Sequence, residues 1–444
     1  MSQGQLERFD VEYFQGGIGN INFNSFVLLG EISEKIQSGS TPSGGNFEKE
    51  GILYLKSADF DLFEIQKSQF ISQDFHEKLN RSKIIKGDIL IASVGATIGK
   101  VGYYNLEEEA NINQNVARIR IKDKRFIDKF VTIFLYSDLG QKQLLGNSTV
   151  NAQPYINNQK ISELKIPLLS LEIQNQIVEK MDFALNEKKR KEKEAKTLFE
   201  SIDDFVLSEL GIEYKEVEEK KVFGLSLSEL GDTKRIDSFY NNPKFLELEK
   251  MLRNGNYEVK KLNEIKEKII TGTTPLSTSE PYGENGIIFF RNTNLEKNNI
   301  NLDDVKYVKE EFSSKLTYSE LNDVIVCIAG TIGVSTINNV GKIAINQNVS
   351  ALRLKENILA DYVSIFLNNK ILVGFFDRVS SVATIKYINN ENLLSIFLPL
   401  PPLEIQEKIA LEVKSRIEKA KVLEKEAFEV YESAKREVEE MILV

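Results

Sequence analysis

Cysteine and histidine are almost absent from this sequence, which contains one of each, Cys327 and His76. A single cysteine cannot form a disulfide within the chain, and the two residues together cannot supply the ligands of a Cys/His zinc cluster. Catalysis by a Ser/His/Asp triad would depend on His76 alone. The scarcity of both residues therefore argues against zinc-centred and triad chemistry.

Long apolar runs are also missing. No stretch approaches the roughly 18 apolar residues of a membrane span, and no signal-peptide pattern is present, so we expect a cytoplasmic protein. The 444 residues suffice for two or three domains, and 41% of them are hydrophobic, which is enough for sizeable cores. The net charge of −9 argues against a free-standing DNA-binding protein, unless basic residues cluster or a partner supplies phosphate contacts.

Two long charged segments contain neither glycine nor proline before they end. The first runs from Leu171 to about Leu210 and begins LEIQNQIVEKM, and the second runs from Leu403 to about Ile442 and begins LEIQEKIALEV. Apolar residues recur in each at steps of three and four, which indicates a helix with one narrow apolar stripe. Such a stripe on a helix of roughly 60 Å is typical of a coiled coil, so we predict that the two helices pair antiparallel. The stripes include the equivalent pairs Ile177 with Ile409 and Leu198 with Val430.

The segments before these helices repeat each other as well. Four motifs return in the same order, 232 to 235 positions later: GSTP at 39–42 as GTTP at 272–275, GDILIASVGATIGK at 87–100 as NDVIVCIAGTIGV at 322–334, INQN at 112–115 and 345–348, and YINN at 155–158 and 387–390. Repetition in this order indicates one unit, a globule followed by a long helix, used twice. The predicted segments are 1–168 and 211–400 for the globules, and 169–210 and 401–444 for the helices.

Each globule is predicted to be mixed α/β (α+β). Short apolar runs at 52–56, 89–94 and 116–121 are typical of strands. Phenylalanines recur at helical spacing between 125 and 145, which predicts one helix there. The expected architecture is therefore two pseudo-repeated α+β globules joined by two long antiparallel helices.

Residues that read DNA bases are expected where the two globules differ, if the globules read different sequences. The loops after GSTP and GTTP and the exits of the strands near 56 and 291 carry polar side chains that suit base edges. For any single one, an ordinary exposed loop residue is an equal alternative. The candidates are Ser40, Thr41, Lys56, Ser57 and Asp59 in the first globule, and Thr273, Thr274, Arg291, Asn292 and Asn294 in the second.

The INQN motif adds amides that could bond adenine edges. Both copies keep these side chains, so a structural role or a contact with the DNA backbone is favoured over base reading. The residues concerned are Asn113 and Gln114 in the first copy and Asn346 and Gln347 in the second.

Lys100 ends a glycine-containing stretch, GATIGK, that invites comparison with a phosphate-binding loop. Three residues rather than four separate Gly95 from Gly99, and Val101 follows the lysine where a Walker loop has Ser or Thr. The second copy has Val334 in place of the lysine. A tight turn between strands is therefore favoured, with a phosphate contact as the alternative. FQGGIGN at 14–20 likewise lacks the spacing of a methyl-donor loop.

Taken together, these repeated motifs and the PLPPLEIQEKI entry into the last helix resemble those of the specificity subunit of a type I restriction–modification system. The resemblance covers essentially the whole chain. It implies a non-catalytic subunit with two target-recognition domains, each reading one half of a split double-stranded DNA site, and a coiled coil that sets the gap. It also implies that the long helices, with Ile177, Leu198, Ile409 and Val430, dock two methyltransferase subunits, with restriction/translocase subunits outside them. S-adenosylmethionine, ATP and Mg²⁺ would then be bound by the partners, and this chain would hold no metal or cofactor.

Two alternatives to this function are left open. One is a specificity subunit of another methylation-based defence system with different effectors. The other is a coiled-coil scaffold whose globules bind protein or peptide, and sequence-specific retention of duplex DNA would separate it from the first reading.

Overall fold

The structure, a computed structural model, describes residues 25–42, 47–147, 154–224, 237–380 and 386–443. The chain divides into two compact units, one formed by Met1–Glu192 with Glu424–Val444 and the other by Lys193–Leu423. The FQGGIGN stretch lies outside the described residues. The four-segment division of the chain stays a prediction.

The two long helices are present where the apolar stripes placed them. The central helix spans Leu171–Glu209 and the C-terminal helix spans Leu403–Leu443. Along the C-terminal helix the buried residues Val413, Ala420 and Ala427 are spaced by seven, which is the repeat of a coiled-coil seam. The alanines at 420 and 427 allow close helix approach, and the exposed surface of the helix is mostly charged, with Leu411, Val422 and Phe428 also exposed.

In the first unit the two helices run antiparallel. Lys180 of the central helix pairs with Glu437 of the C-terminal helix, and Lys191 pairs with Glu426. The residue number rises by 11 on one helix while it falls by 11 on the other, so the pairing stays in register. Surface ion pairs of this kind contribute little each, about 0–1 kcal/mol, and orient the helices more than they stabilise them.

The second unit shows the same direction of pairing. Arg416 donates to the carbonyl oxygen of Ser201 at 3.1 Å, and Lys408 pairs with Glu209 at 2.6 Å. From the first contact to the second, the residue number on the central helix rises by eight and that on the C-terminal helix falls by eight. The predicted fold class, two α+β globules with two long antiparallel helices, is confirmed by this arrangement within each unit.

The described strands of the first unit form two four-stranded sheets and two strand pairs. In spatial order, the strands of the first sheet are Phe70–Ile71, Ile52–Leu55, Ala110–Ile112 and Lys83–Ile84. Those of the second sheet are Gln37–Ser38, Val116–Ile119, Ile89–Ala92 and Val101–Tyr103. The two strand pairs are Phe26–Leu28 with Lys165–Pro167 and Phe60–Asp61 with Glu64–Ile65. Ile52–Leu55 and Ala110–Ile112 run parallel, and the other described strand pairs of this unit are antiparallel. The three strands predicted from apolar runs are all confirmed.

The second unit repeats this topology with an added edge strand. In spatial order, its five-stranded sheet consists of Tyr282–Gly283, Lys306–Val308, Ile287–Phe290, Ile343–Ile345 and Tyr318–Ser319. Its four-stranded sheet consists of Lys266–Thr271, Val349–Leu354, Val324–Cys327 and Ser335–Ile337. The two strand pairs are Val259–Lys261 with Phe397–Pro399 and Leu295–Glu296 with Asn299–Ile300. Ile287–Phe290 and Ile343–Ile345 again supply the parallel contact. Cys327 is buried in this unit, and burial raises the pKa of its thiol to about 11, so it is a core residue and not a reactive one.

Short helices cover the sheets of both units. They are Leu29–Ile32, Gln73–Lys78, Asp128–Tyr136, Asp138–Gly146 and Asn158–Ser162 in the first unit, and Pro243–Arg253, Leu262–Ile265, Ala360–Leu367, Lys370–Val379 and Asn390–Leu394 in the second. The single helix predicted over 125–145 is wrong. Ser137 leaves the helical conformation with ψ of 163°, and its hydroxyl oxygen accepts from the N–H of Gly140, which caps a second helix.

A buried glutamine joins the first turn of each long helix to its globule. Gln174 is completely buried; its Oε1 accepts from the N–H of Ile127 at 2.8 Å, and its Nε2 donates to the carbonyl oxygen of Arg125 at 2.8 Å. The equivalent Gln406 accepts from the N–H of Leu359 at 2.9 Å. The presence of LEIQ at the start of both long helices thus has a structural cause, because the glutamine amide satisfies backbone groups of the globule that water cannot reach.

We expect Gln174→Met to destabilise the first unit by roughly 2–5 kcal/mol, because it leaves buried backbone donors and acceptors without partners. Urea unfolding of the full chain, followed by circular dichroism, measures the change. Gln176→Met on the same helix makes the same chemical change at an exposed position and is expected to be nearly neutral. Equal stability of the two variants would contradict the role of Gln174.

Candidate functional site

In the first unit, the GSTP loop is bound to the INQN motif through the backbone. The N–H of Ser40 donates to the carbonyl oxygen of Ile112 at 3.1 Å, and that of Gly39 donates to Val116 at 3.0 Å. A Cβ on Gly39 would lie 2.1 Å from the carbonyl oxygen of Ile112, so only glycine allows this approach. The loop then places the Thr41 hydroxyl on Oε1 of Gln114, and both side chains are exposed.

The second unit builds the same junction. The N–H of Thr273 donates to the carbonyl oxygen of Ile345 at 3.0 Å, and a Cβ on Gly272 would lie 2.2 Å from that oxygen. The Thr274 hydroxyl donates to Oε1 of Gln347, and both residues are exposed. The repeated GxTP and INQN motifs are therefore two halves of one structural element.

Two further motifs join this element. In the first unit the N–H of Ser93 donates to the carbonyl oxygen of Asn115 at 2.8 Å, and Gly95 donates to Pro154 at 3.1 Å. The GATIG stretch forms a 3₁₀ turn at Gly95–Thr97 between two antiparallel strands. This is the tight turn that the sequence favoured, and the Lys100 ammonium lies 3.5 Å from the carbonyl oxygen of Ala58.

We call these assembled segments the loop clusters. The first loop cluster comprises residues 39–42, 56–59, 93–100, 112–115 and 154–156, and the second comprises 272–275, 291–294, 328–334, 345–348 and 387–388. In both, segments that are far apart in sequence meet through backbone hydrogen bonds at strand ends. Only a few side chains in each cluster are exposed.

Two predicted base readers are structural instead. Asp59 is 7% exposed, and its carboxylate accepts from the N–H of Lys56 at 2.8 Å and from the Ser68 hydroxyl at 2.8 Å. Asn294 holds the equivalent position, is 1% exposed, and accepts from the N–H of Arg291 at 3.0 Å. Both side chains cap the turn that follows a strand, so they have no free edge for a base.

The INQN asparagines are also part of the turn. Asn113 is buried, and its side-chain oxygen accepts from the N–H of Asn115 at 3.1 Å; Asn346 does the same with Asn348 at 3.2 Å. These contacts favour the structural alternative for the asparagines. The neighbouring glutamines point outward and stay available to a ligand.

The remaining candidates are half-buried or exposed. Lys56 lies over the ring of Phe47 at 5.5 Å, and Arg291 donates to the carboxylate of Asp304 at 2.8 Å, so both cations are oriented by neighbours. Ser57 and Asn292, one residue further on, are half-buried at the surface of the turn. Ser40 is half-buried, whereas Thr41, Thr273 and Thr274 are exposed.

The four helix residues with a predicted docking role divide into two kinds. Ile177 and Ile409 are completely buried in the cores of their own units. That burial corrects the prediction for these two, because a partner cannot reach a side chain that the chain's own core encloses. Leu198 and Val430 are half-buried, and docking there stays a prediction.

Sequence reasoning missed two aromatic residues of the loop clusters, Tyr155 and Tyr387. Each begins a YINN motif, and each is held beside the GATIG-type turn of its unit. The repetition of YINN was the signal that could have identified them. Among the described residues, no helix is long and apolar enough to cross a membrane, and no group of three or more His, Cys, Asp or Glu side chains could hold a metal ion.

Both loop clusters lie within segments of the chain that match one protein family. A family model described as the type I restriction modification DNA specificity domain matches residues 22–196 and 254–425. The chain is 25% identical over 430 residues to the putative type I restriction enzyme MjaX specificity subunit of Methanocaldococcus jannaschii, covering 94% of this chain and 91% of that one. It is 31% identical over 140 residues to the type I restriction enzyme EcoBI specificity subunit of Escherichia coli, covering 31% of this chain and 29% of that relative.

Two solved structures share the fold. One, from a study of complex assembly and conformational transition of the type I R-M system, has a TM-score of 0.56 at 15% identity and covers 94% of this chain and 96% of that chain. The other is the type-I restriction-modification system S subunit from M. genitalium, with a TM-score of 0.52 at 14% identity, covering 96% of this chain and 97% of that one.

Gly39→Ala is expected to push the GSTP loop off the INQN motif, at a cost of about 1–3 kcal/mol, because the new Cβ collides with a backbone oxygen. Hydrogen exchange of the full chain should then show faster exchange in 37–42 and 110–116 than in the unchanged protein. Gly224→Ala is the control, since nothing lies within 4 Å of its Cβ position. Unchanged protection in the Gly39→Ala variant would contradict the close contact.

Proposed function

Because this chain belongs to the type I restriction modification DNA specificity family, we propose that it is the DNA sequence-specificity subunit of a type I restriction–modification complex. The observation that carries the proposal is that each family-matched segment contains one complete loop cluster. Each unit then binds one half of a bipartite double-stranded site. This chain is non-catalytic in the proposal, and the methyltransferase and restriction subunits supply the chemistry.

The two loop clusters suggest how reading is divided among side chains. The Thr41 hydroxyl donates to Gln114 in the first unit, and the Thr274 hydroxyl donates to Gln347 in the second in the same way. Because both units have this exposed Thr–Gln pair, it suits the DNA backbone, which is alike in every sequence. Base reading falls to cluster positions that differ and reach the surface. The clearest such pair is Ser57 and Asn292, with Lys56 and Arg291 beside them.

The long helices take two roles in the proposal. Their length sets the unread gap between the half-sites, and their outer faces dock two methyltransferase subunits. Docking uses positions at the edge of the stripe, among them the half-buried Leu198 and Val430, because the buried residues of the stripe are covered by the chain itself. The bound methyltransferase flips a target adenine out of each half-site.

The test of the function is co-expression of the full chain with its methyltransferase subunit, followed by mapping of methylated adenines across the host genome. A single split motif with a constant gap is the expected result. A stable complex that adds no methylation would favour a scaffold or a system with a different effector.

Asn292→Ala is expected to relax recognition in one half-site, at a cost of about 1–3 kcal/mol for the affected base pair. The other half-site and the gap should be unchanged, because they involve other residues. Methylome mapping of the variant complex measures both half-sites in one experiment.

Asn294→Ala, two residues away, is the matched control. Its side chain is buried in the turn, so this variant should lower the stability of the second unit and leave the identity of the methylated motif as it was. A changed motif in the Asn294 variant, or an unaltered one in the Asn292 variant, would overturn this assignment.

Lengthening both helices by one heptad is expected to change the gap and leave both half-sites as they are. Duplicating Lys191–Thr197 and Ala420–Glu426 adds seven residues to each helix and keeps the seam in register, because the two segments face each other in the antiparallel pairing. Methylome mapping gives the new gap directly. Duplicating residues 215–221, a segment outside both long helices, is the control, and a gap unaffected by the helix insertion would refute the spacing role.

A further inference from the structure

A short turn places Arg81 beside the first loop cluster. The turn is the 3₁₀ segment Asn80–Ser82, directly before the strand Lys83–Ile84. Arg81 is exposed, and its Nη2 contacts the carbonyl oxygen of Gly39 at 3.5 Å. Gly39 begins the GSTP loop, whose exposed Thr41 lies against DNA in the proposed function. Arg81 is therefore next to the surface that is assigned to DNA.

The Arg81 guanidinium has donors that the fold does not use. Arg125 and Arg253 are exposed as well, but each is paired with a carboxylate. Arg81 forms no ion pair with any described residue, and a contact of 3.5 Å is at the limit of a hydrogen bond. Arg436 on the C-terminal helix is likewise exposed and forms no such pair, so this property alone does not identify a site. Arg81 differs in how its turn is held.

A buried hydrogen-bond network holds the turn from inside. Asn111 is completely buried, and its Nδ2 donates to the Ser82 hydroxyl at 2.7 Å and to the carbonyl oxygen of Leu79 at 3.3 Å. Its Oδ1 contacts Nδ1 of the buried His76 at 2.6 Å, and Nε2 of that ring lies 3.1 Å from a carboxylate oxygen of Glu109. Both sides of the turn are thus fixed, which sets the position of the arginine at its tip.

The same face of the sheet holds the GSTP loop. Tyr54 is the strand partner of Asn111, and it is 1% exposed. Its hydroxyl donates to the carbonyl oxygen of Ser40 at 3.0 Å and lies 3.1 Å from the Thr41 hydroxyl. Facing residues of neighbouring strands share one side of a sheet. Two adjacent buried polar side chains therefore position the arginine turn and the loop beside it.

The second unit has apolar residues at both of these positions. They are Phe289 and Ala344, which face each other on neighbouring strands and are completely buried. Its turn is also shorter, because one residue separates Leu316 from the strand Tyr318–Ser319, whereas three residues form the turn of the first unit. This turn thus has no position equivalent to Arg81. A cation that only one unit holds in place suits a feature that the two half-sites do not share.

We propose that Arg81 reads a guanine in the half-site bound by the first unit, its guanidinium donating to O6 and N7 at the major-groove edge of that base. The inference rests on the proposed function. Two half-sites of different sequence have the sugar–phosphate backbone in common, so an arginine found in one unit suits a base rather than a phosphate. The planar fork of arginine matches the two acceptors of guanine, and no described carboxylate competes for it.

The test compares Arg81→Ala with the wild type, each as the full chain purified with its methyltransferase subunit. Mapping of methylated adenines is expected to show one G·C position of one half-site relaxed, with the other half-site and the gap unchanged. Fluorescence anisotropy should show binding to a duplex with the wild-type motif weakened about tenfold, and binding to a duplex with both half-sites scrambled little changed. Because the guanidinium is exposed, the variant should unfold at the wild-type temperature.

Arg125→Ala is the matched control in the same unit. The guanidinium of this exposed arginine is bound by Asp123, and the residue follows the end of the strand Val116–Ile119 that is opposite the INQN motif. This variant should bind both duplexes like the wild type and leave the methylated motif as it was.

Three results would overturn the inference. An unchanged motif with equal weakening on both duplexes would make Arg81 a phosphate contact, and an unchanged motif with wild-type affinity would exclude contact with DNA. A relaxed position that is not a G·C pair would exclude guanine. In all three the wild-type complex still methylates a split motif, so the proposed function stands. A wild-type complex that gives no split motif would overturn the proposed function and this inference with it.

Discussion

A long charged helix with one narrow apolar face is not stable alone in water, and the fold of each unit depends on how that face is covered. The antiparallel partner helix covers the middle of the seam through small residues such as Ala195 and Ala420. Toward the globule the seam enters the core itself, where Ile177 packs with the short helices of the first unit and Ile409 with those of the second. Helix and globule are therefore one cooperative body within each unit.

Buried polar groups add direction to this apolar attachment. Apolar contacts tolerate sliding, whereas the amide of Gln174 reaches its partners in only one register. The carboxylate of Asp88 works in the same manner next to the strands Ile89–Ala92 and Val116–Ile119, where it is fully buried and accepts two 2.7 Å hydrogen bonds from Arg120. Asp323 and Arg353 repeat that pair in the second unit. Both units thus use the same polar anchors to hold a surface that differs between them.

The loop clusters show why such a surface can vary. Their frame is built from backbone hydrogen bonds, from the close approach of Gly39 or Gly272, and from buried caps such as Asp59. Because most of the frame is internal, the outward side chains can change with little effect on it; Asn292 contacts it through one 3.4 Å hydrogen bond that its Oδ1 accepts from Asn348. Ser57 in one unit and Asn292 in the other occupy the same place on equivalent turns. A recognition protein needs this separation, since new specificity must not require a new fold.

The sequence by itself determined the duplicated plan, the two long helices and the main strands. Hydrophobic periodicity and the order of repeated motifs can both be read along the chain without knowing what packs against what. The family resemblance came from the same repeated motifs. Only the tertiary structure decided which candidate side chains remain free. Asp59 is buried by Ser68 and the turn at Lys56, and Ile177 is enclosed by segments distant along the chain. The outward turn of Tyr155 likewise depends on its bridge with the distant Val94. Burial is set by what packs against a residue, and a single residue's sequence neighbourhood does not contain that information.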